Sequence, residues 1–228
     1  MADQVKYPGR LIAVDGSRGK DVAVAARDVV AALKRDGIEC AVSRWDASGL
    51  FTDLAAGAGD RDVSIRTLSL VYAADLAFRL RWEIRPVLES GGVVVAASYL
   101  DTATAFGATC GLDEEWLRRL LSFAPAPDFR GLAKERKIHQ RWKRRTDRGY
   151  PEYGAVMLES SASKRFSKEA RQRMIASLER ARGRNVFHLS SKGIGALAKA
   201  LSRRKKAAAR RSPSRPRSGR RKSAGRGT

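Results

Sequence analysis

The residues most able to do chemistry sit in one turn, Asp15-Gly16-Ser17-Arg18-Gly19-Lys20-Asp21. Before it runs Leu11–Val14, an unbroken apolar stretch that reads as a buried strand. After it, Val22, Ala25, Ala26, Val29, Val30 and Leu33 recur at helical spacing. Strand, glycine turn, lysine and helix form the layout of a loop that cradles a phosphate. Backbone N–H groups at the helix start point at the anion, and Lys20 and Arg18 add positive charge. The loop is shorter between its glycines than G-x-x-x-x-G-K-[ST], and Asp21 stands where a metal-binding hydroxyl belongs. Asp21 reads equally well as a cap at a plain strand–helix joint, where its carboxylate would oppose a bound phosphate.

The elements that position this turn follow in order. Gly37 ends the first helix, and Ile38–Ser43 reads as a second strand, making a βαβ unit and a parallel sheet. Arg44–Asp62 is loop or short helix. Arg66–Ser90 predicts a long helix with a buried stripe of Leu68, Val71, Phe78, Trp82 and Leu88, kinked or broken at Pro86. Val93–Ala97 is a central strand, and Leu112–Phe123 a helix with acids in its first turn. Ala155–Leu158 and Val186–Leu189 read as later strands, and Ser167–Arg182 and Ile194–Leu201 as later helices.

Composition bounds the rest. The 228 residues, 43% hydrophobic, suffice for one α/β domain with an appendage. Cys40 and Cys110 have no metal-type spacing, and no run is apolar enough to span a membrane. A reducing cytoplasm is the expectation. Of the 46 Lys and Arg residues, 13 lie in Lys199–Thr228, which has no acid and carries more than half of the net charge of +22. Such a block implies a polyanionic partner.

The order Leu70-Val71-Tyr72-Ala73-Ala74-Asp75, Ile84-Arg85-Pro86-Val87-Leu88-Glu89-Ser90-Gly91-Gly92, Tyr99-Leu100-Asp101, Ala105-Phe106 and Gly111-Leu112-Asp113-Glu114-Glu115-Trp116-Leu117 resembles the thymidylate kinase family. The family patterns are F-A-A-D-R, I-x-P-x-L-x-x-G, D-R-Y-x-D-S-x-x-A-Y and G-L-x-x-x-W-L. The likeness covers about Arg10–Asp128. It implies a P-loop NTPase-type parallel sheet of about five strands with helices on both faces. It implies transfer of the ATP γ-phosphoryl to dTMP with Mg²⁺, and a homodimer packed through the long helices.

Carried over by position, the resemblance makes Lys20 the P-loop lysine, with Arg18 and Asp15 beside it as further catalytic candidates. Gly16, Ser17, Gly19, Asp21, Arg44, Tyr72, Ser98, Asp101 and Phe106 fall at nucleotide-binding positions. Tyr72 matches the base-stacking aromatic and Phe106 its pocket neighbour, although both also read as core aromatics. The family's D-R pair is Ala97-Ser98 here, and the arginine of F-A-A-D-R is Leu76. Arg79, one helical turn on, is a candidate replacement cation. Losing a positioned arginine at a phosphoryl-transfer centre costs about 10³-fold or more.

The segment 129–153 reads as a basic insertion or remodelled lid within a domain spanning 1–201. Its Arg141, Arg144, Arg145 and Arg148 could close over phosphates, bind a nucleic-acid backbone, or form a solvated basic face. Residues 202–228 read as a disordered Lys/Arg-rich tail. Arg203, Arg204, Lys205, Lys206, Arg210, Arg211, Arg220, Arg221 and Lys222 carry its charge. With no aromatic to stack on bases, contact would be to phosphate and salt-sensitive, consistent with nucleoid association. Three functions remain: a nucleotide-binding relative with weak or absent kinase activity, held near nucleic acid by its tail; an active nucleoside-monophosphate kinase with a rebuilt site, using ATP and Mg²⁺; and a non-catalytic nucleic-acid binder on a kinase scaffold. No metal ligand set is evident.

Overall fold

The computed structural model of the protein describes residues 6–58, 63–134, 168–180 and 186–211. Five strands, β1 (Arg10–Asp15), β2 (Cys40–Ser43), β3 (Val93–Ala97), β4 (Phe129–Leu132) and β5 (Val186–Phe187), form one sheet in the order β2-β3-β1-β4-β5. Every pairing is parallel. The helices are α1 (Gly19–Arg35), α2 (Leu50–Ala58), α3 (Ile65–Arg79), α4 (Arg85–Glu89), α5 (Leu100–Thr109), α6 (Glu114–Leu120), α7 (Lys168–Arg180) and α8 (Ser191–Arg211). This arrangement, a five-stranded parallel sheet with helices on both faces, fits an α/β P-loop kinase fold.

Strand alternation divides the core. Leu11, Ala13, Val94 and Ala96 face a layer built from α3 to α5 and α7. Ile12, Val14, Val95 and Ala97 face α1 and α8, through Val22, Val29, Leu33, Leu197 and Leu201. The chain leaves β1 toward β2 and leaves β3 toward β4, so the strand order switches between β1 and β3. Ligands of open parallel sheets bind outside the carboxyl ends of strands at such a point.

Three expectations are corrected. The predicted insertion does not begin at Phe129, because Phe129–Leu132 is β4 and pairs with β1 in register Ile12–Phe129 to Asp15–Leu132. Its Arg and Gly hide the strand from a hydropathy pattern, yet Gly131 is required there: a Cβ would lie 2.7 Å from the Phe187 ring. The long helix 66–90 is broken before Pro86, as expected, by a π-helical turn, Leu80–Ile84, but its buried stripe differs. Its buried stripe is Leu68, Tyr72, Leu76, Leu80, Ile84 and Leu88, while Phe78 is 39% and Trp82 65% exposed. Finally, α8 continues through Arg211 rather than ending at Leu201, since Ser202–Arg211 is rich in Ala, Arg and Lys, which favour helix. The predicted strand at 155–158, the four lid arginines, and Arg220, Arg221 and Lys222 lie outside the described residues.

Candidate functional site

Asp15 closes β1 at the switch point and is 3% exposed. Its Oδ1 accepts the amides of Tyr99 (2.7 Å) and Thr102 (3.0 Å) and the Thr102 hydroxyl (2.6 Å). That hydroxyl oxygen in turn accepts the Gly16 N–H at 3.2 Å. Burial, with the nearby Asp101 charge, pushes the Asp15 carboxyl up to about 6.

Only Gly16, Ser17 and Arg18 separate β1 from α1. Arg18 is the N-cap residue and makes no side-chain cap bond. Asp21 is therefore not the N-cap residue. It lies in the first turn, 8% exposed, with its carboxylate 3.6 Å from Arg18 Nε. Gly16 cannot be enlarged, because a Cβ would meet the Val22 side chain at 2.8 Å. Gly19 and Lys20 begin α1, so the lysine is placed at the head of the helix.

The next strand ends are tied by Arg79, the candidate replacement cation. Its side chain is fully buried. Nε donates to Ser43 Oγ (2.9 Å), Nη1 to the Ser98 carbonyl (2.9 Å), and Nη2 to the carbonyls of Ala97 (3.1 Å) and Ser43 (3.3 Å). The guanidinium thus binds the ends of β2 and β3 together. Ser98 has a left-handed backbone, φ 56°, which lets its N–H reach the Val14 carbonyl while its own carbonyl meets Arg79.

Asp101, in the first turn of α5, accepts Nη1 of Arg130 from β4 on both carboxylate oxygens, the Oδ2 contact at 2.6 Å. Phe106 is 7% exposed and packs in the core. Tyr72 is 1% exposed, donates its hydroxyl to the Tyr99 carbonyl (2.6 Å), and lies under the Trp45 ring. Arg44 is exposed just past β2. The site therefore brings together Asp15, Gly16, Ser98, Asp101 and the α1 N-terminus. It withholds Arg79 and buries Tyr72 and Phe106.

Sequence reasoning does not single out Thr102, Trp45 or Arg130. Thr102 occupies the serine position of D-R-Y-x-D-S, a signal the sequence does contain. Trp45 follows Ser43-Arg44 directly. Arg130 is hidden inside a segment that reads only as basic.

No family model matches the chain. A probable thymidylate kinase 2 from Saccharolobus solfataricus is 34% identical over 125 residues, 53% of this chain and 57% of that protein. A thymidylate kinase from Rhizorhabdus wittichii is 32% identical over 125 residues, 52% and 60% of the two chains. A probable thymidylate kinase from Pyrococcus abyssi is 41% identical over 67 residues, 29% and 33%. The chain is similar to these thymidylate kinases over about half of its own length. It spans less than two thirds of the length of these relatives.

Measured against the thymidylate kinase pattern, the residues present do not fit a magnesium-bound nucleotide held in the usual way. The Gly16 amide is already engaged by Thr102. The hydroxyl position is a carboxylate beside Arg18.

Proposed function

We propose that the chain is a thymidylate kinase-like nucleotide-binding protein that is weak or inactive in phosphoryl transfer and that its basic C-terminal segment brings to nucleic acid. The names of its relatives support ATP and dTMP as the nucleotides, with Mg²⁺ if the chain is active. The observation that carries the proposal is the three-residue joint between β1 and α1. So short a joint offers few amides to wrap a phosphate, whereas the head of α1 with Lys20 still presents a dipole to an anion. An active, rebuilt site would use Asp21 or Asp101 for Mg²⁺, and Arg18, Arg79 and the Arg141–Arg148 cluster for phosphate; of these, Asp101 and Arg79 are engaged elsewhere. Arg130 engages the first, and buried hydrogen bonds hold the second.

Titration calorimetry tests the binding. ATP is expected to bind saturably, and Lys20→Ala to weaken it by about tenfold or more, as loss of a charge-assisted contact does. No ATP binding by the unaltered protein would contradict the proposal. Nucleic acid as the second partner is supported by the acid-free Lys199–Thr228 block. A homodimer through α3 is supported by the exposed stripe of Leu70, Phe78 and Trp82; a single-copy mass in light scattering would contradict it. No described helix is long and apolar enough to cross a membrane. We place the protein in the cytoplasm, beside nucleic acid.

A further inference from the structure

We propose that Trp45 covers the face of Tyr72 on which a nucleobase would stack, as an autoinhibitory plug on the loop after β2; this rests on the nucleotide-binding proposal above. Trp45 stands just beyond the end of β2 and Tyr99 just beyond the end of β3. The Tyr72 hydroxyl reaches the Tyr99 carbonyl, so the Tyr72 ring is pinned at the carboxyl edge of the sheet, the side where parallel sheets take their ligands. The indole lies on that ring with centroids 4.3 Å apart and planes 19° from parallel. This is the contact a nucleobase makes with an aromatic side chain. Phe51 closes against the indole at 4.2 Å, tilted by 57°. The Tyr72 ring, at 1% exposure, has no room for a base while Trp45 stays in place.

The loop is held by two carboxylates. Asp75, fully buried, accepts the amides of Asp46 (3.2 Å) and Ser48 (2.9 Å) and the Ser48 hydroxyl (2.8 Å). Asp46 takes a left-handed backbone, φ 56°, and accepts the amides of Phe51 (2.8 Å) and Thr52 (3.1 Å) and the Thr52 hydroxyl (2.6 Å). A non-glycine residue in that conformation is strained and persists because its surroundings hold it. Two carboxylates thus fix a half-buried indole over an aromatic ring. A ligand that needs the ring must first move the loop, and its apparent affinity falls by the fraction of molecules that are open.

The test is calorimetric titration of dTMP, and separately of ATP, into the unaltered protein, Trp45→Ala and Trp45→Phe, with the fold of each confirmed by circular dichroism. ATP affinity is expected to be the same in all three. The dTMP affinity of Trp45→Ala is expected to rise by about tenfold or more as the closed state is lost. Trp45→Phe keeps a ring on Tyr72 and is expected to stay near the unaltered protein. If ATP binds but Trp45→Ala takes dTMP no more tightly, the plug is overturned and the nucleotide-binding proposal stands. If Trp45→Ala takes dTMP more weakly, the indole is a binding platform and the plug is equally overturned. If none of the three binds either nucleotide, both proposals fall. Should Trp45→Ala not fold, Ser48→Ala removes one bond to Asp75 and leaves both rings. A smaller gain in dTMP affinity is then expected, and no gain counts against the plug.

Discussion

Asp15 shows how one side chain can keep its place while its charge state changes. Its oxygen holds the β1–α1 joint to α5 through Tyr99 and Thr102. Burial and the neighbouring Asp101 raise its carboxyl from 3.8 to about 6. The folded state therefore holds this proton more tightly than the unfolded chain. Its contribution to stability is complete below about pH 4 and is lost as pH rises through about 6. Asp15→Asn keeps the accepting oxygen and removes the titration. We expect the unaltered protein to lose about 1–3 kcal/mol relative to Asp15→Asn across that window. Urea denaturation at a series of pH values checks this; parallel profiles for the two proteins would contradict it.

Elements meet at Arg79, which α3 contributes to the ends of β2 and β3. Replacing it by alanine leaves the Ser43, Ala97 and Ser98 carbonyls without their donor and removes the cation beside buried Asp75. The expected cost is about 3–5 kcal/mol in denaturant unfolding. Lysine should recover little of it, because a single ammonium cannot match the planar fork. A stable Arg79→Ala with diminished ligand affinity would instead make this arginine a binding residue.

The strands β1, β2 and β3 are legible in the sequence because each is a short apolar run between turn signals. β4 is not: Phe-Arg-Gly-Leu reads as strand only once β1 is there to pair with it, Asp101 to receive Arg130, and Phe187 to require a glycine. The glycine turn and its lysine fall at the head of α1, where the sequence puts them. The partners of Arg79 are not legible in the sequence because helical spacing shows which way a side chain leaves its helix but not the carbonyls waiting there. Phe78 and Trp82 are assigned to the core for a related reason: the true stripe repeats every fourth residue from Leu68 to Leu88, and a π-helical turn lies within it.

At the scale of the molecule, charge is segregated. The body has a two-layered apolar core, and α8 extends from it as a basic helix anchored by Ile194, Leu197, Ala198 and Leu201. Removing residues 204–228 spares that anchor. It should abolish most affinity for duplex DNA and flatten the dependence of binding on salt, by roughly 0.9 in log–log slope for each phosphate that is no longer neutralised. Fluorescence anisotropy across a salt series measures this. An unchanged slope would move the DNA-binding surface elsewhere.

We propose that this chain combines a kinase-like sheet with the loss of the charge arrangement that drives phosphoryl transfer. Steady-state ADP formation from ATP and Mg²⁺ in the presence of dTMP tests it most directly. The account predicts no turnover above that of Lys20→Ala. Turnover in the ordinary enzymatic range, about 1–10³ s⁻¹, abolished by Lys20→Ala, would contradict it.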